Sequence, residues 1–274
     1  MGIVGRLRGL YGRRRREESS LPGEIPADRV PDHVGVIMDG NGRWAAKRHL
    51  PVAMGHREGT RALKRTVEAA IRAGVRQLTV YSFSTENWGR PADEVQGLLS
   101  LLDEMIDREI PELDEKGVRV VFVGRRDGLA AELAGKFAQA EEATRANTSL
   151  DLFIAFDYGG RREIVDAVRS ALTAGVTATD LDEHTLGLHM YAPTMRDPDL
   201  VIRTSGELRL SNFLLWESAY SELYFSEALW PDFDETEFRR ALADYASRER
   251  RFGKREPAPR SRTAPPHPDG EASS

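Results

Sequence analysis

The sequence of 274 residues contains no cysteine, which excludes disulfide bonds, zinc sites with thiolate ligands and cysteine nucleophiles. It contains no run of about 18 or more apolar residues, so no transmembrane helix is predicted. The formal net charge of −5 lacks the positive excess that is typical of nucleic-acid-binding proteins. Arg6 and Arg8 interrupt the one early apolar stretch, which argues against a secretory signal. These absences predict a cytoplasmic protein that binds no nucleic acid.

The two ends of the chain differ in composition from the middle. Residues 1–28 carry the basic block Arg13 to Arg16, together with five apolar residues that would share one face of a helix. These are Ile3, Val4, Leu7, Leu10 and Tyr11. The pattern predicts either a cationic amphipathic helix, in peripheral contact with the inner membrane face, or a basic tail without fixed structure. Residues 254–274 are rich in proline, serine, arginine and alanine and are predicted to be disordered.

Between these ends, over residues 29–253, apolar runs alternate with helical patterns. Strands are predicted at 33–38, 77–83, 118–123, 150–156, 199–203 and 222–225. Helices are predicted at 57–73, 92–116, 128–147, 160–173, 182–190 and 234–250. Several strands are apolar on both faces, as buried parallel strands are. The alternation predicts a single α/β domain with a central, mostly parallel six-stranded sheet flanked by helices.

Polar residues follow the first predicted strand at its carboxyl end, where ligands bind in parallel sheets. Asp39 comes directly after the strand and precedes the turn Gly40-Asn41-Gly42, which leads into Arg43 and Trp44. The strand aims the carboxylate, the glycines let main-chain N–H groups approach an anion, and the arginine adds positive charge. The pattern is typical of a metal-assisted phosphate site.

Two other interpretations of this motif stay open at the level of sequence. Gly40, Gly42 and Ala45 also match a dinucleotide-binding fingerprint. Against it, Asp39 would repel a bare pyrophosphate unless a cation lay between them, and Pro51 breaks the continuous helix that the fingerprint requires. The second interpretation is a plain turn without a ligand.

A second polar cluster, Ser84-Thr85-Glu86-Asn87-Trp88-Gly89-Arg90-Pro91, follows the next predicted strand. Gly89 and Pro91 flank Arg90, which predicts a hinged loop over the site. The alternative is that Ser84 or Thr85 caps the helix that starts near Ala92.

A third cluster follows the fifth predicted strand. Arg203 and Arg209, with Ser211 just beyond, can hold one diphosphate through charge-assisted hydrogen bonds. The alternative is a surface ion pair between Arg203 and Glu207. Glu222 begins the last predicted strand, where a carboxylate suits either a cation or a salt bridge at a sheet edge. Two anion sites and few carboxylates favour Mg²⁺ over zinc, so the residues alone predict a Mg²⁺-dependent transferase acting on phosphates or diphosphates.

Together these motifs resemble the cis-prenyltransferase family (undecaprenyl diphosphate synthase and relatives) over about residues 30–253. Further matching segments are Gly55-His56-Arg57, Tyr158-Gly159-Gly160-Arg161, Leu229-Trp230-Pro231-Asp232-Phe233 and Arg248-Glu249-Arg250-Arg251-Phe252-Gly253. The resemblance implies a catalytic domain at residues 29–253, a homodimer and Mg²⁺. It also implies the reaction, in which isopentenyl diphosphate is added to an allylic diphosphate of farnesyl or geranyl type and each new double bond is Z.

The resemblance also implies roles for single residues. Asp39 and Glu222 would bind the metal, and Asp39 and Asn87 would be catalytic, with Asn87 at the position assigned to proton removal. The implied substrate-binding residues are Gly40, Asn41, Gly42, Arg43, Trp44, His56, Ser84, Thr85, Glu86, Trp88, Arg90, Arg203, Arg209, Leu210 and Ser211. On the residues alone, a lone histidine such as His56 is more often a structural contact. The remaining alternatives are a non-catalytic partner subunit that binds prenyl diphosphates and a nucleotide-dependent oxidoreductase.

Overall fold

The computed structural model describes residues 25–248. The segment 3–16, predicted to be amphipathic, and the tail 254–274, predicted to be disordered, lie outside this range. Within it, no helix combines the length and the apolar composition needed to cross a membrane.

The secondary structure alternates strands with helices along the chain. The strands are β1 (His33–Ile37), β2 (Gln77–Ser84), β3 (Val118–Val123), β4 (Leu150–Tyr158), β5 (Leu200–Arg203) and β6 (Glu222–Phe225). The helices are α1 (Asn41–Lys47), α2 (Val52–Ala73), α3 (Ala92–Glu115), α4 (Ala131–Ala143), α5 (Gly160–Thr173), α6 (Glu183–Gly187) and α7 (Glu235–Ser247). All six predicted strands are confirmed, each within two residues of its predicted bounds.

The six strands form one sheet in the order β3-β4-β2-β1-β5-β6, and every neighbouring pair is parallel. All five residues of β1 are buried, because neighbouring strands and the layers on both faces cover it. Ile37 at the end of β1 is in register with Tyr81 of β2 and with Arg203 of β5. The segments that follow β1, β2 and β5 therefore leave the sheet at one edge, its carboxyl edge.

Among the predicted helices, α2 differs most from the prediction at its start. Helix α2 begins at Val52 rather than at residue 57, so His56 lies inside the helix. Its first turns contain Gly55 and Gly59, whose low helix propensity hides the helical pattern. Both are needed for packing against α1, which the sequence analysis did not predict. A Cβ on Gly55 would lie 2.2 Å from the carbonyl oxygen of Asn41, and one on Gly59 would lie 2.5 Å from its Oδ1.

Two carboxyl groups are buried together behind β4. The Tyr158 hydroxyl donates a hydrogen bond to one oxygen of Glu163, and the Tyr191 N–H donates to the other at 3.1 Å. Neither carboxyl oxygen of Glu217 makes a hydrogen bond of good geometry with the described residues. Burial, together with the nearby carboxylates of Glu163 and Asp197, raises the pKa of Glu217 to about 8, and burial also raises the pKa of Glu163. The pair therefore holds a proton at neutral pH.

We expect Glu217→Gln to remove a loss of stability at alkaline pH. In the unmodified chain the folded pKa of Glu217 lies above its unfolded value, so stability falls as pH rises from about 4.5 to about 8, where the pair becomes doubly charged. An amide stays neutral and can donate to Glu163. The unfolding free energies of variant and wild type should agree at pH 5 and differ by a few kcal/mol at pH 9. Urea titrations at both pH values measure this difference. Glu142→Gln, at an exposed surface pair with Arg145, is the matched control, and parallel pH profiles of wild type and Glu217→Gln would contradict the expectation.

Candidate active site at the carboxyl edge of the sheet

The main chain of Asp39 is pinned where β1 leaves the sheet. Its N–H donates to the Thr204 hydroxyl at 2.9 Å, and that hydroxyl donates to the Asp39 carbonyl oxygen at 2.7 Å. The N–H of Trp230 donates to the same carbonyl at 3.0 Å. Thr204 is fully buried and directly follows β5. These contacts aim the Asp39 side chain toward the edge, and the sequence analysis gave Thr204 no role.

The Asp39 carboxylate lies between two guanidinium groups. Its Oδ2 accepts hydrogen bonds from Arg203 Nη2 at 2.9 Å and is 3.1 Å from Arg43 Nη2. Burial raises the pKa of Asp39, but hydrogen bonds from Arg203, Ser205 and Arg43 outweigh burial and hold it below its usual value. The carboxylate is therefore ionised throughout the physiological range. Asp39, Arg43 and Arg203 thus meet at this edge.

Helix α1 begins directly after Asp39. Gly40, its N-cap residue, has φ of 112° and offers no side chain to cap the helix. The N–H groups of the first helical turn have no partner within the helix, so those of Asn41, Gly42 and Arg43 are available to an anion. The segment after Gly40 is therefore the start of a helix and not a plain turn. The continuous helix of a dinucleotide site is also missing, since α1 ends at Lys47.

The side chains of α1 have separate contacts. Arg43 donates to Ser205 Oγ at 2.6 Å and to Glu207 Oε1 at 3.3 Å. The indole of Trp44 donates to Asp232 at 2.7 Å and lies under the guanidinium group of Arg48. Arg43 thus belongs to the Asp39 cluster, whereas the contacts of Trp44 lie outside it.

The second polar cluster forms a short 3₁₀ helix, Thr85–Gly89. Ser84 and Asn87 cap it reciprocally, and Asn87 Oδ1 accepts the Ser84 N–H at 3.0 Å. Ser84 thus caps this turn and not α3, which begins after Pro91, so the alternative interpretation of this segment is wrong. Because its amide oxygen already accepts a hydrogen bond, Asn87 is held in one orientation at the edge.

The rest of this loop is tied to neighbouring elements. The indole of Trp88 donates to Asp157 Oδ1 at 2.7 Å, and its ring packs edge-on against Phe83. Arg90 donates to Glu94 at 2.8 Å on the first turn of α3. The indole contact ties the loop to the end of β4.

Arg203 is the buried centre of the third cluster, with 4% of its surface exposed. Its Nη1 donates to Ser211 Oγ and to the carbonyl oxygen of Arg209, each at 2.6 Å, while Nη2 binds Asp39. Its Nε is buried without a partner. Glu207 instead pairs with Arg209 at 2.5 Å and with Arg43, so the alternative of an Arg203–Glu207 surface pair is wrong.

The structure does not bring Glu222 to Asp39 within one chain. Glu222 is the first residue of β6 and is in register with Leu200, the first residue of β5. It therefore lies at the amino edge, roughly 10 Å along the strands from the edge that carries Asp39. Its carboxylate binds Arg248 Nη1 at 2.6 Å. The prediction that Glu222 and Asp39 share a metal site is therefore wrong within a single chain, because parallel strands start at one edge of the sheet and end at the other.

An apolar cavity opens beside the Asp39 cluster, between α2, α3 and the sheet. His56 and Asn41 line it near α1, and the pKa of His56 is lowered by burial and by Arg90. The apolar lining consists of Met38, Leu63, Phe83, Leu98, Leu102 and Ile154, among others. The small residue Ser82 lines it as well, and so does the apolar face of the helix predicted at 92–116.

The edge as a whole combines the ionised carboxylate of Asp39, three arginines and a set of free main-chain N–H groups with this apolar cavity. Arg209 is exposed and turned toward Glu207, and the partly buried Leu210 packs against the apolar cluster that contains Phe213. Among the described residues no three His, Asp or Glu side chains form a metal cluster. The arrangement can bind anionic groups next to an apolar tail.

The sequence model of one protein family, described as "Putative undecaprenyl diphosphate synthase", matches residues 37–253. The chain is 52% identical over 227 residues to an isoprenyl transferase of Thermotoga maritima, covering 82% of this chain and 97% of the relative. It is 49% identical over 229 residues to a ditrans,polycis-undecaprenyl-diphosphate synthase ((2E,6E)-farnesyl-diphosphate specific) of Xanthomonas axonopodis pv. citri, covering 82% and 89%.

A solved structure is also similar. The chain superimposes with a TM-score of 0.79 and 33% identity on lavandulyl diphosphate synthase from Lavandula x intermedia, solved in complex with dimethylallyl diphosphate. The match covers 83% of this chain and 100% of the other.

Proposed function

Because the chain belongs to the undecaprenyl diphosphate synthase family of cis-prenyltransferases, and is thus an enzyme that transfers prenyl groups, we propose that it condenses isopentenyl diphosphate with an allylic diphosphate of farnesyl or geranyl type. Residues 29–253 are the proposed catalytic domain, and each new double bond is Z. The observation that carries this proposal is the ionised Asp39 carboxylate, held between Arg203 and Arg43 beside an apolar cavity.

The allylic diphosphate is proposed to bind at the start of α1. The uncapped N–H groups after Gly40 and the guanidinium group of Arg43 supply hydrogen bonds and positive charge. Its apolar tail would lie in the cavity beside His56, because most of the side chains that line the cavity are apolar. The exposed Val52 lines the adjoining groove and adds no positive charge to this subsite.

Isopentenyl diphosphate is proposed to bind to Arg203, Arg209 and Ser211. Arg203 already orients Ser211 and carries a buried Nε without a partner. Arg209 is exposed and can leave Glu207 for a diphosphate, because an exposed ion pair is worth little. The loop of Thr85–Gly89 would cover this substrate, with Asn87 near the carbon that loses a proton.

The residues present fit a magnesium ion. Mg²⁺ is usually held by one or two carboxylates together with substrate phosphates and water, and Asp39 provides one carboxylate that stays ionised next to the proposed diphosphate site. Asp39 would hold the ion, which when bound supplies positive charge to the departing diphosphate. Arg43 and Arg203 stabilise the same negative charge from the protein side.

We propose a cytoplasmic homodimer with peripheral membrane contact through residues 3–16. Strand β6 is the outermost strand on its side of the sheet, and the exposed ring of Tyr220 lies just before it in the chain. Both features favour a contact with another protein chain along β6.

The proposed reaction is tested by incubating the protein with farnesyl diphosphate, labelled isopentenyl diphosphate and Mg²⁺. We expect labelled prenyl diphosphates longer than the primer, which chromatography separates by length. Absence of any extended product with farnesyl, geranyl and dimethylallyl primers would contradict the proposal. Binding of both diphosphates without turnover would indicate the non-catalytic partner subunit. Fluorescence titration with a nicotinamide cofactor should show no binding, because the dinucleotide helix is interrupted after Lys47.

A further inference from the structure

Asn212 connects three segments that leave the sheet separately. Its main-chain carbonyl accepts the N–H of Gly160 at 2.8 Å, and its side-chain Oδ1 accepts the N–H of Arg161 at 2.9 Å. Its Nδ2 donates to Glu86 Oε1 at 2.9 Å. One side chain thus joins the segment after β5, the start of α5 after β4, and the 3₁₀ helix after β2.

The backbone at this point is built for the contact. Asn212 has φ of 65° and the preceding Ser211 has φ of 49°, a left-handed conformation in which asparagine is among the better tolerated residues. Space around the amide is tight, since a Cβ on Gly159 would lie 2.7 Å from Asn212 Nδ2 and 2.6 Å from Thr85 Oγ1. Gly159 therefore allows the close approach of all three segments.

The bond to Glu86 is charge-assisted. Burial raises the pKa of Glu86, but hydrogen bonds from Asn212, from its own main chain and from Thr85 and Ser84 outweigh burial and lower it. Glu86 is therefore ionised, and an ionised acceptor makes the stronger kind of hydrogen bond. Thr85 Oγ1 donates to the other carboxylate oxygen at 3.1 Å.

Continuous hydrogen bonds link Asp39 to Arg203 and Arg203 to Ser211, the chain neighbour of Asn212. From Asn212 the contact runs to Glu86, inside the 3₁₀ helix that Ser84 and Asn87 cap. We propose that Asn212 is a positioning residue that sets the loop carrying Asn87 in register with the Arg203–Ser211 diphosphate site. The inference rests on the proposed function, and it assigns to Asn212 the alignment of the two reacting carbons rather than contact with either substrate.

The hydrogen bond between Asn212 and Glu86 is tested by exchanging its donor and its acceptor. Asn212→Asp keeps the acceptor for Arg161 but puts a carboxylate against Glu86, so the two segments should repel each other. The double variant with Glu86→Gln restores a hydrogen bond, donated now by the glutamine amide to the aspartate. We expect Asn212→Asp to lower kcat about tenfold to a hundredfold with a smaller change in KM for isopentenyl diphosphate. The double variant should recover to within about threefold of Glu86→Gln alone.

Asn147→Asp is the matched control, because Asn147 Nδ2 also donates to a carboxylate, that of Asp114, at 2.8 Å, but far from the carboxyl edge. It should leave kcat unchanged, while thermal unfolding reports any loss of stability in each variant. Full activity of Asn212→Asp, or no recovery in the double variant, would overturn the inference while an active wild type leaves the proposed function intact. A wild-type chain that extends no primer would overturn the proposed function, and the role of Asn212 with it.

Discussion

Replacing Asp39 with asparagine is expected to lower kcat by a factor on the order of a thousand or more while the chain still folds. Asparagine has the same shape but no charge, so it cannot hold a divalent cation beside a diphosphate, and losing about 4 kcal/mol of charge stabilisation corresponds to that factor. The fold should persist because the amide oxygen still accepts a hydrogen bond from Arg203, which limits the loss of unfolding free energy to about 1–2 kcal/mol. Primer extension under saturating substrates and urea unfolding measure the two effects.

Asp32→Asn serves as the matched control for this variant. Asp32 also forms an ion pair with an arginine, since its Oδ2 lies 3.1 Å from Arg196 Nη1. It lies just before β1, however, at the amino edge of the sheet. Its replacement should leave kcat within about twofold, since an exposed pair contributes little. Turnover of Asp39→Asn at more than a tenth of the wild-type rate would remove the Asp39 carboxylate from the chemical step.

Replacing Arg203 with lysine should raise KM for isopentenyl diphosphate about a hundredfold or more. One guanidinium group now binds Asp39, Ser211 and the main chain of Arg209 at once. A lysine ammonium group keeps the charge, but it cannot reproduce the planar fork that orients these groups. Loss of two or more charge-assisted hydrogen bonds, each worth about 1.5–3 kcal/mol, accounts for the size of the effect.

The control for Arg203→Lys is Arg196→Lys, at an exposed arginine that also binds an aspartate. Initial rates measured while one substrate is varied at a time separate the two diphosphate sites. KM for the allylic primer should change less than KM for isopentenyl diphosphate, because α1 and Arg43 stay in place. Equal increases in both values would contradict the assignment of Arg203 mainly to isopentenyl diphosphate.

Arg203 also explains why the two proposed diphosphate sites should be coupled. Its side chain contacts both Asp39, beside the proposed allylic site, and Ser211, in the second proposed site. If a bound diphosphate changes the charge near Asp39, the hydrogen bonds that the Arg203 guanidinium group makes with Ser211 should change as well. The Asn212 link to Glu86 then extends this connection to the loop with Asn87.

The strands could be predicted because their signal is local. Each one is a short, largely apolar run, and β1 is buried on both faces, so the apolar pattern marks these strands. The start of α2 could not be predicted in this way. Gly55 and Gly59 weaken its pattern, and the reason for them is contact with Asn41 in another helix.

The separation of Glu222 from Asp39 could have been predicted from the sequence. The prediction placed it at the start of a strand in a parallel sheet, and such starts lie opposite the edge that carries Asp39. Applying strand direction to both residues would have separated them. The pairing of Asn212 with Glu86, by contrast, spans 126 positions in the chain and leaves no local pattern.

The sequence by itself determined the order of strands and helices, and the three polar clusters that follow β1, β2 and β5, because burial patterns and strand ends are properties of short segments. The tertiary structure alone decided which members of those clusters touch. Arg203 binds Asp39, 164 positions away in the chain, rather than the nearby Glu207, since the register of β1 with β5 brings the first two side chains together. The chemistry at the carboxyl edge depends on this pairing of Arg203 with Asp39, and only the packing of distant segments produces it.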